Sequence, residues 1–165
     1  MATRLDEQLT RKLQECKVMV ASGVAFSAIA RLGEVLALSE IAYEPHDERR
    51  GICAHEITAL MTPELLDSAT REALEVWRKV MRILSIGSTY NSDEVLLLVT
   101  LRAQLEYAVP AFRLAGIDVT PLDLGAVDAE LRSLGRSRQH RSSFVSALQA
   151  VQKNWSVQIQ DRWTS

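Results

Sequence analysis

Very little in this chain interrupts a helix. Its 165 residues include only seven glycines and four prolines, and between those breaks the apolar side chains recur every three or four positions. Leu5, Leu9, Leu13, Cys16 and Val20 follow this spacing, and so do Phe144, Leu148, Val151, Trp155 and Ile159 near the other end. Such a period lines up one face of a helix, whereas a half-buried strand needs strict alternation. An all-β chain of this length also needs many tight turns, with the glycine and proline to make them. The sequence therefore predicts an all-α fold: a compact bundle of about five major helices plus one or two short ones, in a single helical domain over residues 1–165.

Local signals place the boundaries. Thr3, three residues before Asp6, resembles a capping box and starts a first helix that runs to about Ser22 and stops or bends at Gly23. Residues 24–44 are apolar at most positions, which predicts a central helix covered on nearly all sides, with Gly33 at a close crossing or a local break. Residues 45–51 read as an exposed connector, because proline cannot continue a helix and the rest is charged or flexible, and residues 52–61 as a short helix. Thr62, Pro63 and Glu64 supply a hydroxyl cap, a first-turn proline and a first-turn acid. The helix they start, with a restart at Asp67 or Ser68, carries Leu74, Trp77, Met81 and Leu84 as its apolar stripe and ends at Gly87. Ser92, with Asp93 and Glu94 behind it, caps a helix over 95–115 that Pro110 kinks and Gly116 closes. Thr120 and Pro121 repeat the start signal for a segment ending at Leu134 and Gly135, and the last helix runs nearly to the C-terminus.

Composition narrows the class of protein. Hydrophobic residues make up 47% and charged residues 24%, which suits a folded globular domain. Two cysteines, Cys16 and Cys53, are too few for a disulfide framework, and the N-terminus carries charges of both signs without the succession of a signal peptide. The most apolar stretch, residues 24–43, contains Arg31, Glu34 and Glu40, charges that would be costly in a bilayer. These features lead to the expectation of a cytoplasmic protein with no membrane partner.

The chemistry-bearing residues gather in one place only. His46, Asp47, Glu48, Cys53, His55 and Glu56 fall within eleven positions, but Cys53 and His55 stand two apart, which on a helix points them in different directions. His55-Glu56 opens the zinc-protease pattern, yet Ala59 stands where its second histidine belongs. The serines lack a nucleophile elbow, no glycine-rich phosphate loop or dinucleotide fingerprint is present, and no glutamate lies three residues before a histidine as di-iron bundles require. The reading is a charged loop leading into a helix around a buried Cys53. No catalytic residue, metal ligand or cofactor is expected, and a metal-dependent enzyme built on residues 46–56 is a remote alternative.

Charge is more informative than motif. Residues 1–130 hold 13 Lys and Arg against 20 Asp and Glu, a net of −7, whereas residues 131–165 hold 6 against 1, a net of +5. Arg132, Arg136, Arg138, His140 and Arg141 lie within ten residues that include no acid, and the planar guanidinium suits phosphate and carboxylate. This segment reads either as a contact for nucleic acid or an acidic partner, or as a solvated turn that neutralises acids such as Asp128 and Glu130. Trp163, close to the chain end, and Trp155 are candidate partner anchors, the alternative being that both cap the core. The run from Leu96 to Val99, with the helix around Leu36, has more apolar surface than a thin bundle covers, which predicts self-association, most simply as a dimer. The leading expectation is a non-enzymatic helical interaction module, a regulatory or adaptor protein with a protein partner. The alternative is a nucleic-acid-binding protein that uses residues 132–141.

Overall fold

A computed structural model of the protein describes residues 4–86 and 89–156. Among them the fold is all-α, with seven helices and no strand: α1 (Arg4–Ala21), α2 (Ala25–Ala42), α3 (Glu48–Leu60), α4 (Pro63–Leu84), α5 (Ser92–Leu114), α6 (Gly125–Arg136) and α7 (Arg141–Gln152). The chain divides into two compact units. One comprises Met1–Ala73 with Glu106–Val119, the other Leu74–Leu105 with Thr120–Ser165, so the division falls within α4 and within α5.

In the first unit α1 buries Leu9, Leu13 and Cys16, the stripe its spacing predicts. Thr3, the expected cap, lies outside the described residues. Gly23 ends α1 in the left-handed region at φ 77°, where its amide donates to the Val20 carbonyl and that of Val24 to Met19. This paired closure satisfies carbonyls that the helix end would leave bare. α2 buries eleven of its eighteen residues, so the expectation of near-complete cover holds. Its Gly33 lies against the backbone of Tyr107 in α5 and leaves no room for a Cβ, which makes it a close crossing and not a break. The buried Glu34 is held by Arg31 at 3.2 Å and Lys12 at 3.4 Å, so the charge that interrupts the apolar run is neutralised in place.

Several boundaries differ from the sequence reading. The connector after α2 stops at Asp47, whose carboxylate accepts from the Arg49 amide at 2.9 Å, and α3 absorbs residues 48–51. An N-cap outweighs the flexibility of Gly51 there. Thr62 caps α4 as expected, through the Leu65 amide at 3.2 Å, but the helix then runs to Leu84 without a restart at Asp67 or Ser68. Its fully buried positions are Leu65, Ala69, Ala73, Val80 and Ile83, while the bulkier Leu74, Trp77, Met81 and Leu84 flank them half-buried.

In the second unit α5 starts with a reciprocal box made by Asn91, not by Ser92. The Asn91 side chain accepts from the Glu94 amide at 2.8 Å, and the Glu94 carboxylate accepts from the Asn91 amide at 2.9 Å. At its far end, in the first unit, α5 continues through Pro110 and closes at Gly116, φ 79°. α5 is long and apolar enough to cross a membrane, with mean hydropathy 1.4, but two thirds of that window is buried within the protein. The pattern is that of a core helix. α6 begins at Gly125 and not after Thr120, and it runs through the buried Gly135 to Arg136. α7 ends at Gln152, short of the expected end. Trp155 is nevertheless buried, reached through a turn in which its amide donates to the Gln152 carbonyl.

Candidate anion-binding surface

The basic segment is built on two short helices and the turn between them. α6 buries Val127, Leu131 and Leu134 on one face, which leaves Arg132 and Arg136 exposed one turn apart. Arg136 sits in the last turn, where a cation favours the helix dipole. Ser137 ends α6, and its carbonyl accepts from the amides of His140 at 3.3 Å and Arg141 at 2.8 Å. That carbonyl fixes a tight turn of residues 137–140. His140 points inward from it, 5% exposed, with its ring edge-on to Tyr90 at 5.9 Å, while Arg138 and Arg141 on either side are exposed. All four arginines expected to face a partner are thus on the surface around one corner of the second unit.

The acids that could neutralise this corner are committed elsewhere. Asp128 accepts from Arg102 at 2.8 and 3.3 Å in a nearly buried pair, and Glu130 lies beside the Tyr90 phenol, whose hydroxyl donates to the Leu84 carbonyl at 3.4 Å. Burial first, then the Glu130 charge and hydrogen bond, push the Tyr90 phenol up to about 12. Among the described residues neither Asp128 nor Glu130 forms an ion pair with the four arginines. Among the described residues none of Arg132, Arg136, Arg138 and Arg141 forms an ion pair. α7 also opens on Arg141, with no acid in its first turn and no side-chain cap. A cation at a helix N-terminus opposes the dipole. The Ser143 hydroxyl, hydrogen-bonded to that of Ser92 at 3.1 Å, secures this end instead.

Sequence reasoning passed over two features of the same unit. Arg102, 3% exposed within the apolar α5, is matched by an acid 26 residues away, and only its oddity within an apolar run could have marked it. Arg78, Lys79 and Arg82 on α4 are exposed and, among the described residues, make no ion pair. The signal available for them was a stretch from residue 76 to residue 92 without an acid.

The 46–56 cluster is dispersed by its helix. Asp47 caps α3 and pairs with Arg49 at 2.7 Å, and that guanidinium holds the carboxyl below its ordinary range. Arg49 also lies 4.4 Å from the centre of the Tyr43 ring, whose hydroxyl donates to Asp6. Cys53 is half-buried rather than buried, and burial pushes its thiol up, with the nearby Ser39 acting in the opposite sense. His46, Glu48, His55 and Glu56 are exposed. Among the described residues no three of His, Cys, Asp and Glu converge as metal ligands would. The cleft beside Tyr43, Arg49 and Cys53 has a volume of about 190 Å³, small for a ligand site.

Of the other expected contacts, Trp163 lies outside the described residues. Leu36 and Leu97, which motivate a second copy, are half-buried, and Leu98 and Val99 are buried within the chain. Compared with known protein families, with curated proteins and with solved structures, the chain matches none.

Proposed function

We propose that this protein is a helical interaction module that works by contact rather than by chemistry, with the α6–α7 corner as its working surface and a densely anionic partner as its ligand. One observation carries the reading. Four guanidiniums, those of Arg132, Arg136, Arg138 and Arg141, stand exposed and among the described residues form no ion pair, while the nearby Asp128 is paired inward with Arg102. Arg141 at the head of α7 supports it, because it places a cation against the helix dipole where a neutral residue would favour the helix more.

The test replaces all four arginines by glutamine and measures binding to immobilised DNA duplex and to polyglutamate at low salt. The four positions are exposed, so the variant keeps its fold and its melting temperature changes little. It loses most of the binding to whichever polyanion the wild type retains. Equal retention of wild type and variant would remove the corner from the interaction.

A further inference from the structure

A second group of exposed cations lies in the same unit, on α4. Arg78 and Arg82 stand one turn apart on α4, as Arg132 and Arg136 do on α6, with Lys79 beside them, and all are exposed. Two contacts within the second unit bring these elements together. The Trp77 indole donates to the Asp123 carbonyl at 3.4 Å, which ties α4 to the segment that enters α6. Tyr90 joins the rest: its hydroxyl lies 3.4 Å from the carbonyl of Leu84, the last residue of α4, and engages Glu130 of α6, while its ring meets His140 at the head of α7. The end of α4, the middle of α6 and the start of α7 therefore meet at one side chain. Seven exposed cations, six of them arginine, lie on the elements gathered there.

Resting on the proposed function, we propose that Arg78, Lys79 and Arg82 belong to the same surface and that its ligand is a nucleic-acid backbone. Two observations favour phosphate over an acidic polypeptide. A protein interface needs apolar anchors near its centre, yet among the described residues the exposed large apolar side chains include none on α6 or α7, and only Ile86 lies close in sequence to the α4 cations. Between the cations α6 and α7 expose Ala129, Ser133 and Ser142, which add polar or small contacts only. The arginine-rich composition and the spread over three helices suit a continuous row of phosphates, each able to take a planar, bidentate donor.

Phosphate contacts release counterions, and each contributes a logarithmic salt slope of about −0.9 on duplex DNA, so seven contacts give a slope of about −6. The experiment titrates a fluorescent DNA duplex of mixed sequence, and separately a labelled polyglutamate, with the full chain across a range of salt. The variants are R78Q/K79Q/R82Q, the α6–α7 quartet, and Arg82→Gln alone in case the triple variant folds poorly. The expected result is that the wild type prefers the duplex, that the α4 triple variant flattens the slope by about 2 to 3, and that Arg82→Gln flattens it by about 1. An unchanged slope in both α4 variants would confine the surface to the corner and overturn this extension. Polyglutamate bound as tightly as the duplex would overturn the nucleic-acid assignment and leave the interaction module standing. Binding of neither probe at low salt would overturn the proposed function itself.

Discussion

Gly33→Ala separates two effects of opposite sign. Within a helix, alanine is favoured over glycine by about 1 kcal/mol, so propensity alone predicts a more stable protein. At the crossing of α2 and α5 an added Cβ would stand 2.6 Å from the carbonyl carbon of Tyr107 and closer still to its oxygen. Ordinary carbon contacts lie at about 3.5–4.0 Å, so the two backbones must part by about 1 Å or more. No rotamer can relieve this, because the obstacle is main chain. Ile29, Leu32 and Val35 in α2, all essentially unexposed, would lose close contact as the crossing opens. Overpacking of this kind costs about 1–3 kcal/mol where side chains can adjust, and a backbone clash lies at or above the top of that range. After the gain in propensity is subtracted, the expected net loss is about 2 kcal/mol or more. Urea denaturation followed by far-ultraviolet circular dichroism measures it directly. A variant as stable as the wild type, or more stable, would refute the crossing as the reason for glycine at this position.

Three further outcomes follow from single features. Arg102→Leu strands Asp128 beside an apolar helix and should cost about 3–5 kcal/mol in denaturant unfolding, with much of that recovered when Asp128→Leu is added. Asn91→Ala removes the reciprocal cap of α5 and should cost about 1 kcal/mol, whereas Ser92→Ala should cost less, as read by thermal denaturation. Burial, aided by the Glu34 charge, pushes the Cys16 thiol from its ordinary value near 9 up to about 12. Its folded-state pKa is the higher one, so its contribution is complete below pH 9 and lost as pH rises to 12; at about 1.4 kcal/mol per unit, wild type should lose about 4 kcal/mol more than Cys16→Val over that window.

The helices were legible because each hides one apolar face, and periodicity reports that face directly. The stop at Gly23, the start at Pro63 and the passage through Pro110 depend on backbone properties of single residues, so the sequence carries them too. Each misplacement has its own physical cause. Thr120 and Pro121 form a good start signal, but no periodic apolar face follows until Val127, and α6 waits until the Asp123 carboxylate can accept from the Gly125 amide at 2.9 Å. Asn91 outcompetes Ser92 because it stands three residues before Glu94 and can exchange bonds with it, a pattern the sequence contains but adjacent candidates obscure. On α4 bulk marks Leu74 and Trp77, while Ala69, Ala73 and Val80 occupy the most enclosed positions. The candidate surface was half legible: a run free of acids marks the α6–α7 arginines. Its continuation on α4 depends on Tyr90, whose partners lie up to 50 residues away.

Exposed arginines differ in worth as binding groups according to how firmly their backbone is held, since each ordered side chain already costs entropy when a ligand binds. The turn of residues 137–140 reduces the rest of that cost in advance. The Ser137 carbonyl accepts two amide hydrogens, His140 is buried against Tyr90, and Tyr90 is fastened in turn to Leu84 and Glu130. Arg138 and Arg141 therefore emerge from a backbone with little freedom left to lose, and Arg132 and Arg136 from a helix face fixed by Val127, Leu131 and Leu134. The histidine within the basic run thus has a different task from its neighbours. It contributes no exposed charge, yet it sets where two of the four guanidiniums leave the surface, which makes the corner a preorganised group of donors rather than a flexible basic tail.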